Sequence, residues 1–244
     1  MSVADWQSQA QPLGVGGGVL VQAAPTEAET RFLLDQADTH PAVLGVVGWT
    51  DLLANDASQR IAGLARHPKL KGLRPMLQDI ADADWILQPS LAPALQTMAE
   101  HGLVFDALAK PAHLPRILAL AQDHPALAIV IDHGTKPDIA NGAWQPWADD
   151  LARIAAETSA VCKLSGLLTE AGAAPAPDAA RCWARHVLDS FGPQRVSGAA
   201  TGRCSSWRAA TRRGGTRCTR CSCTAAAAER AAVLGGTARR VYGL

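Results

Sequence analysis

The sequence lacks the features that mark several protein classes. No stretch approaches the roughly 18 uninterrupted apolar residues that a membrane-spanning helix requires. The amino terminus has neither the basic start nor the apolar core of a secretory signal. Cysteine is scarce before residue 197, where only Cys162 and Cys182 occur. Because two isolated thiols suit a reducing compartment, we expect a cytoplasmic protein with no contact to a membrane.

Common phosphate-binding and catalytic motifs are missing as well. The run GVGGG (14–18) precedes an apolar run instead of linking a strand to a helix, so it does not fit a phosphate-binding loop. The patterns GxSxG and HExxH do not occur. A net charge of +1 gives the chain as a whole no reason to bind nucleic acid. We therefore expect a small molecule as the partner.

The chain does contain a regular alternation of short apolar runs with amphipathic stretches between positions 18 and 192. Near-continuous apolar runs are typical of parallel strands that are covered on both faces. Six such strands are predicted, and they contain Val19, Val43, Leu70, Val104, Ile129 and Val161. A complete (β/α)₈ barrel has eight strands in about 250 residues. The pattern predicts an incomplete barrel of this α/β class, with an open doubly wound sheet as the alternative.

Polar or aromatic residues follow the predicted strands where each strand ends. They are Gln22, Trp49, Arg74, Asp106, His133, Lys163 and Ser165. In a barrel these positions converge on the catalytic face, although polar residues are also common wherever a strand stops. Taken as a set, we expect them to converge.

The stretch IVIDHGTKPDI is the most informative of these, because an apolar strand runs directly into Asp132 and His133. A histidine there can ligate a metal, act as a general base or polarise a carbonyl; alternatively, it is a satisfied core residue. Arg74, in GLRP, can clamp a substrate carboxylate or form a surface ion pair. The residues alone leave these alternatives open.

Several motifs together resemble the amidohydrolase family 2 group. They are VLVQAAPTEAETRFLLDQA, GVVGWTDL, KLKGLRPMLQDI, IVIDHGTKPDI, WADDLARIAA, CKLSGLLTEA and the closing ERAAVLGGTARRVYGL. The resemblance covers residues 14–196 and 229–244 and implies a single (β/α)₈ hydrolase domain (1–244). Family members include sugar-lactone lactonases and 2-pyrone-4,6-dicarboxylate lactonase, which open a lactone with an activated water.

The resemblance also implies roles for individual residues. His133 is the strand-end histidine of the family, and Arg74 and Gln22 are substrate-side candidates. Weaker substrate-binding candidates are Trp49, Asp106 and Lys136. Some members use a divalent metal such as zinc and others need none, so no cofactor and no metal ligand are assigned. The expected substrate is a sugar lactone or a dicarboxylate lactone.

Two family features are missing from the written sequence. The family begins with a strand carrying a His-x-His pair, and this chain starts after that point. The last family strand ends in a motif resembling MWGSDWP, whose aspartate is the usual general base or metal ligand. Here Val196 is followed by SGAATGRCSSW instead. We therefore expect a barrel without its first strand and with an aberrant last βα unit, and a chain with impaired or no activity.

The segment 203–223 contains six arginines, four of the six cysteines and no acidic residue. Cys218, Cys221 and Cys223 could bind a metal, or the arginines could contact phosphates. Either reading would make the chain a non-enzymatic binding protein, which is the alternative function.

A reading-frame change accounts for the segment better. When GC-rich codons are written back from Val196 and one T is inserted in the Ser197 codon, the chain reads V-M-W-G-S-D-W-P-V-L-E-L. This restores the family motif with its aspartate. Our hypothesis is that residues 197–224 are read out of frame and are disordered, and that residues 225–244 return to the family's last helix and tail. The arginines and cysteines are then by-products of the frame.

Overall fold

A computed structural model describes residues 2–176, 178–199 and 227–244 of the chain. Within these ranges the strands are β1 (Gly18–Val21), β2 (Val43–Gly48), β3 (Leu70–Leu73), β4 (Val104–Ala107), β5 (Ile129–Ile131), β6 (Val161–Leu164) and β7 (Val196–Gly198). The α-helices are α1 (Val3–Ala10), α2 (Glu27–Thr39), α3 (Ala57–Ala65), α4 (Ala92–Glu100), α5 (Leu114–Asp123), α6 (Trp147–Glu157), α7 (Arg181–Phe191), α8 (Ala227–Ala231) and α9 (Thr237–Tyr242). A π-helical turn, Ala232–Gly236, joins the last two helices.

The strands form one parallel sheet in the order β1-β2-β3-β4-β5-β6-β7. A doubly wound sheet reverses its strand order at a switch point, whereas a barrel adds each strand beside the previous one. The consecutive order therefore confirms the incomplete barrel and excludes the open doubly wound alternative. Among the described residues β1 pairs only with β2 and β7 only with β6, so the sheet curls without closing.

The count of six strands was wrong by one. The seventh strand pairs with β6 through Cys162 opposite Val196, Lys163 opposite Ser197 and Leu164 opposite Gly198. It is only three residues long and contains one apolar side chain, so it left no apolar run in the sequence. The predicted disorder of residues 197–224 lies almost entirely outside the described ranges, which end at residue 199 and resume at 227.

The helices cover the outer face of the sheet through apolar stripes at helical spacing. In α6 the buried side chains include Trp147, Leu151 and Ile154, which recur every three to four residues. Asp149 and Asp150 occupy the first turn, where carboxylates interact favourably with the helix dipole. No helix in the described ranges is long and apolar enough to cross a membrane.

A second apolar cluster lies on the inner face of the curled sheet. Val47, Val104, Val130 and Val161 contribute to it, one from each of four strands, and Tyr242 of α9 packs against them. The carboxyl-terminal tail extends this contact, because Lys71 Nζ donates a hydrogen bond of 3.1 Å to the Gly243 carbonyl. The family-like tail is thus part of the barrel interior.

Strand periodicity then decides what lies above this apolar layer. Successive side chains of a strand point to opposite faces, so a residue two positions further on shares the inner face. The inward valines of β4, β5 and β6 are therefore followed by Asp106, Asp132 and Lys163. An apolar layer beneath a charged layer is what positions the candidate site.

Candidate active site at the carboxyl ends of the strands

Four charged side chains form the polar layer of the barrel interior, which comprises Arg74, Asp106, Asp132 and Lys163. Lys163 Nζ lies 2.6 Å from Asp106 Oδ2 and 2.7 Å from Asp132 Oδ1. Arg74 Nη1 donates to Asp132 Oδ2 at 3.0 Å. All four residues are buried, with relative exposures of 0% for both aspartates, 6% for Lys163 and 9% for Arg74. Two cations and two carboxylates leave this layer close to neutral.

Burial and pairing set the pKa values of this layer. Burial alone lowers the pKa of Lys163, but Asp106 and Asp132 outweigh it and raise its pKa well above the ordinary value. For Asp132 burial raises the pKa, yet Lys163 and Arg74 prevail and lower it to about 2. Burial raises the pKa of Asp106 to about 6, because only Lys163 opposes it among the cations and Asp132 adds to it. Lys163 and Asp132 are therefore charged at neutral pH.

Tyr242 reaches the polar layer from below. Its hydroxyl donates toward both oxygens of Asp106, at 2.7 Å to Oδ1 and 3.0 Å to Oδ2. Lys163 Nζ also lies 5.6 Å from the centroid of the tyrosine ring, within the range of a cation–π contact. Burial and the neighbouring Asp106 raise the pKa of Tyr242 well above its ordinary value, so the phenol keeps its proton.

Gln22 and Arg74 hold each other through reciprocal bonds at the ends of β1 and β3. Gln22 Nε2 donates to the Arg74 carbonyl at 2.8 Å, and Arg74 Nη2 donates to the Gln22 carbonyl. Two buried atoms of this pair, Gln22 Oε1 and Arg74 Nε, have no hydrogen-bond partner among the described residues.

His133 opens a left-handed turn directly after β5. The φ angles are 54° at His133, 56° at Gly134, 63° at Thr135 and 51° at Lys136. Residues other than glycine rarely adopt this backbone conformation, and each one that does costs the fold on the order of 1–3 kcal/mol. Trp147 Nε1 holds the turn by donating a hydrogen bond of 2.7 Å to the Gly134 carbonyl. Backbone strain of this kind concentrates at functional sites.

The imidazole of His133 is partly buried and lies against β6. Its Nδ1 shares a hydrogen bond of 2.7 Å with Ser165 Oγ. Burial lowers the pKa of His133 to about 4. A Cβ atom on Gly166 would come within 3.1 Å of the ring, so glycine is required for this approach. His133 is therefore neutral at pH 7. Because Nδ1 is bonded to Ser165, Nε2 is the ring atom that can accept or donate a proton.

The two remaining predicted residues, Lys136 and Trp49, lie outside the polar layer. Lys136 Nζ donates to Gln78 Oε1, which ties the left-handed turn to the segment after β3. Trp49 lines a groove of about 300 Å³, which we call the tryptophan groove. Its walls include Trp49, Trp85, Met76, Ile80, Asp51 and Asp79.

The structure thus joins Gln22, Arg74 and Asp106 in one connected interior network. His133 and Lys136 sit on the adjoining turn, and Trp49 faces the neighbouring groove. Sequence reasoning placed Lys163 among the strand-end residues expected to converge but gave it no role, and it did not single out Asp132 or Tyr242 as site residues. For Asp132 and Lys163 the signal was available, because each stands two positions after an inward valine. For Tyr242, more than 130 positions away from Asp106, no local pattern could have shown the contact.

The described residues do not fit a bound metal ion. They contain no group of three or more His, Cys, Asp or Glu side chains arranged to hold one. Asp106 and Asp132, the two interior carboxylates, are each already paired with Lys163. Cys218, Cys221 and Cys223, the possible metal ligands named from the sequence, lie outside the described ranges.

Comparison with known proteins identifies the relatives of this chain. Residues 1–197 match a family described as amidohydrolase. An L-fucono-1,5-lactonase of Burkholderia ambifaria is 51% identical over 185 residues, which cover 75% of this chain and 63% of that protein. The chain thus spans less than two thirds of that relative's length. An L-fucono-1,5-lactonase of Burkholderia multivorans is 34% identical over 244 residues, covering 94% of this chain and 81% of the relative.

A solved structure gives the same result for the fold. A crystal structure of an amidohydrolase from Burkholderia multivorans with bound zinc superposes with a TM-score of 0.86 at 30% identity. The superposition covers 100% of this chain and 89% of that one. The curled sheet and its helices therefore follow the architecture of that protein.

Proposed function

We propose that this chain, which belongs to the amidohydrolase family, is built as a hydrolase that opens a lactone ring with water. The observation that carries the proposal is the neutral, partly buried His133 in a strained turn at the carboxyl end of β5. Two relatives named L-fucono-1,5-lactonase support a lactone as the substrate. A hydrolase that opens an ester with water needs a base that can take a proton, and the neutral imidazole of His133 can do so.

His133 is suited to take the proton of the attacking water. The water oxygen would form a bond to the lactone carbonyl carbon while one water proton passes to Nε2 of the neutral imidazole. The bond between that carbon and the ring oxygen then breaks, and the ring oxygen takes the proton back from the His133 imidazolium. Ser165 fixes the ring orientation through Nδ1, because the shared hydrogen bond leaves Nε2 turned away from β6.

Arg74 and Gln22 would bind the oxygens of the substrate. A substrate hydroxyl could pair with Arg74 Nε and Gln22 Oε1 only if the polar layer opened to admit it, because both atoms are buried. Satisfying buried polar atoms that are otherwise unpaired favours binding, because each costs about 1–3 kcal/mol when left unmet. Because Asp132 already neutralises the charge of Arg74, the guanidinium suits a substrate hydroxyl at least as well as a substrate carboxylate.

We further propose that the out-of-frame residues 197–224 impair hydrolysis by this chain. The match to the family ends at residue 197, and the reading-frame hypothesis begins there. The family motif that the restored frame would recover contains the aspartate usually assigned as general base or ligand. Two thiols are free within the described residues, the buried Cys162 and the exposed Cys182, and they agree with a cytoplasmic location.

Resequencing of the gene across the Val196 codon tests the frame hypothesis, and an unambiguous read with no missing base would reject it. The function is tested with the frame-restored chain, which carries one T inserted in the Ser197 codon and one base removed near codon 224, so that residues 225–244 keep their present frame. We expect it to hydrolyse L-fucono-1,5-lactone, and His133→Gln to lower that rate about 10²- to 10⁴-fold. His101→Gln, on the exposed end of α4, is the matched control and should change nothing. No hydrolysis of any lactone above background would contradict the proposal.

A further inference from the structure

We infer that Ser165 and His133 form a nucleophile–base pair that transfers the acyl group of an activated ester through a covalent serine intermediate. An activated ester is one with a good leaving group, such as a nitrophenolate. The inference goes beyond the proposed function, because the serine, and not a water molecule, attacks first. Both residues precede residue 197, so the pair is present in the unaltered chain.

The two reacting groups are already in contact. Ser165 Oγ lies 2.7 Å from His133 Nδ1, within the hydrogen-bond distance that a nucleophile and its base require. Neither residue is fully buried, so the pair is open to a small reagent. His133 follows β5 and Ser165 follows β6, and these two strands are neighbours in the sheet. The pair therefore lies at the carboxyl ends of adjacent strands.

Ser165 occupies a tight turn between a strand and a helical segment. It follows β6 directly, and Gly166 has a left-handed φ of 70° before the 3₁₀ helix Leu167–Ala171 begins. The Thr169 N–H closes the turn by donating to the Gly166 carbonyl at 3.0 Å. Hydrolases of the GxSxG type place their serine between strand and helix in this way, because the sharp bend projects the hydroxyl out of the sheet. Here the order of strand, serine, glycine and helix is present without that motif.

The tautomer of His133 decides which group attacks. A neutral imidazole carries one proton, and either ring nitrogen can hold it. With the proton on Nδ1, the ring donates to Ser165, and Nε2 is free to take a proton from water as in the proposed function. With the proton on Nε2, Nδ1 accepts from Ser165 Oγ and the serine is the nucleophile. The same contact therefore supports two reactions.

In the acyl transfer, the Ser165 oxygen forms a bond to the ester carbonyl carbon while its proton passes to His133 Nδ1. The bond between that carbon and the leaving oxygen then breaks, and the leaving oxygen takes the proton from the imidazolium. A water molecule next attacks the acyl carbon and gives one proton to Nδ1. The serine oxygen leaves and recovers that proton. The products are a carboxylic acid and the phenol of the ester.

Burial limits the strength of this base. It lowers the pKa of His133 to about 4, and the negative charge of Asp132 opposes the effect only in part. Because a weakly basic imidazole gives the serine little assistance, the ester must have a leaving group that departs easily. The expected substrates are therefore activated aryl esters rather than alkyl esters or amides.

The test is covalent labelling of the purified, unaltered chain with a fluorophosphonate, followed by peptide mapping in a mass spectrometer. The serine oxygen bonds to phosphorus while fluoride leaves, and the adduct is stable enough to be mapped. We expect Ser165 to react at least about tenfold faster than Ser58, a partly exposed serine whose Oγ donates to the Pro93 carbonyl at 3.2 Å. His133→Gln should slow the labelling of Ser165 by about 10²-fold or more.

Turnover of 4-nitrophenyl acetate distinguishes attack by serine from attack by water. We expect the unaltered chain to hydrolyse this ester and Ser165→Ala to lower the rate by about 10²-fold. Ser58→Ala is the matched control and should leave the rate unchanged. Ser165→Cys keeps a nucleophile beside His133 and should still take up an acetyl group at position 165. Far-UV circular dichroism checks that each variant is folded.

No preferential adduct at Ser165, or unchanged labelling in a folded His133→Gln protein, would overturn the inference. Hydrolysis of the acetate that survives Ser165→Ala but is lost in His133→Gln would also overturn it, because water would then attack directly. Lactone hydrolysis by the frame-restored chain without labelling of Ser165 would count against this inference alone. Labelling of Ser165 without lactone hydrolysis would confirm the pair and count against the proposed function alone.

Discussion

Lys163 is the residue on which the interior of the barrel depends. It is the single cation that contacts both interior carboxylates in the described part of the chain, and it is 6% exposed. A buried ion pair contributes little net stability compared with apolar packing, but breaking one leaves an uncompensated charge in a poor solvent. Removing Lys163 should therefore cost much more stability than the net contribution of its ion pairs would suggest.

Lys163→Met should lower the free energy of unfolding by about 3–5 kcal/mol, because Asp106 and Asp132 would remain buried without their shared cation. Urea denaturation measures this change. The control is Arg153→Ala, which breaks an exposed pair with Glu157 of 3.3 Å and should change stability by less than about 1 kcal/mol. Equal effects of the two variants would show that the polar layer is not buried as described.

His133 should give stability a dependence on pH in mildly acid solution. Its pKa of about 4 in the folded chain lies below the ordinary value of 6.5, so the unfolded chain binds more protons in this interval. The stability that neutral His133 contributes is thus present above pH 6.5 and is lost as pH falls through 4. Relative to His133→Gln, the protein should lose about 1–3 kcal/mol between about pH 7 and pH 4. A difference that stays constant with pH would refute this assignment.

Sequence and structure agree best at this scale where strand periodicity applies. The positions of His133, Arg74 and Asp106 at the carboxyl ends of strands could be predicted, because each stands at or near the end of an apolar run. The pairing of Lys163 with two carboxylates could not, since it depends on how far the sheet curls. The reciprocal bonds between Gln22 and Arg74 likewise join residues 52 positions apart.

At the scale of single elements, the left-handed turn after β5 is held by its neighbours. Gly166 lies against it at a φ of 70°, with the His133 ring 3.1 Å from where a Cβ would stand. The sequence shows the glycine but not its contact with the His133 ring, which is the reason that glycine is needed at this position. The turn and the loop after β6 therefore form one unit around the imidazole.

Gly166→Ala tests this packing against a control with the same backbone requirement. Gly102 has a φ of 63°, and no neighbouring atom lies within 4 Å of the point where its Cβ would stand. Both substitutions impose the left-handed penalty of about 1 kcal/mol, but only Gly166→Ala also displaces His133. We expect Gly166→Ala to cost at least about 1 kcal/mol more in urea denaturation and to shift the imidazole NMR signals of His133. Equal costs with unchanged signals would contradict the contact.

The carboxyl-terminal helix α9 is the second element that shapes the site. Tyr242→Phe keeps the ring but removes the hydroxyl that donates to Asp106, and it should cost about 1–3 kcal/mol. A double-mutant cycle with Asp106→Asn measures whether the loss arises from this contact. We expect the two substitutions to be non-additive by about 1 kcal/mol or more. Additive losses would place the effect of Tyr242 elsewhere in the fold.

At the scale of the molecule, the described residues form an unclosed barrel of seven consecutive parallel strands whose interior is apolar below and charged above. The barrel class followed from the apolar runs and their spacing, because parallel strands and covering helices leave strong local patterns. The seventh strand and the interior packing of α9 did not, because a three-residue strand and a long-range contact leave none. The family match ends at residue 197, whereas the described fold also includes the carboxyl-terminal helices within residues 227–244.

The central claim is our proposal that this chain is built as a lactone hydrolase and that the out-of-frame segment after Val196 impairs its hydrolytic activity. The most direct measurement compares the hydrolysis of L-fucono-1,5-lactone by the chain and by its frame-restored form at equal concentration. We predict that the restored form is faster by at least about 100-fold, the usual contribution of one acid–base group. Equal rates in the two forms would contradict the claim.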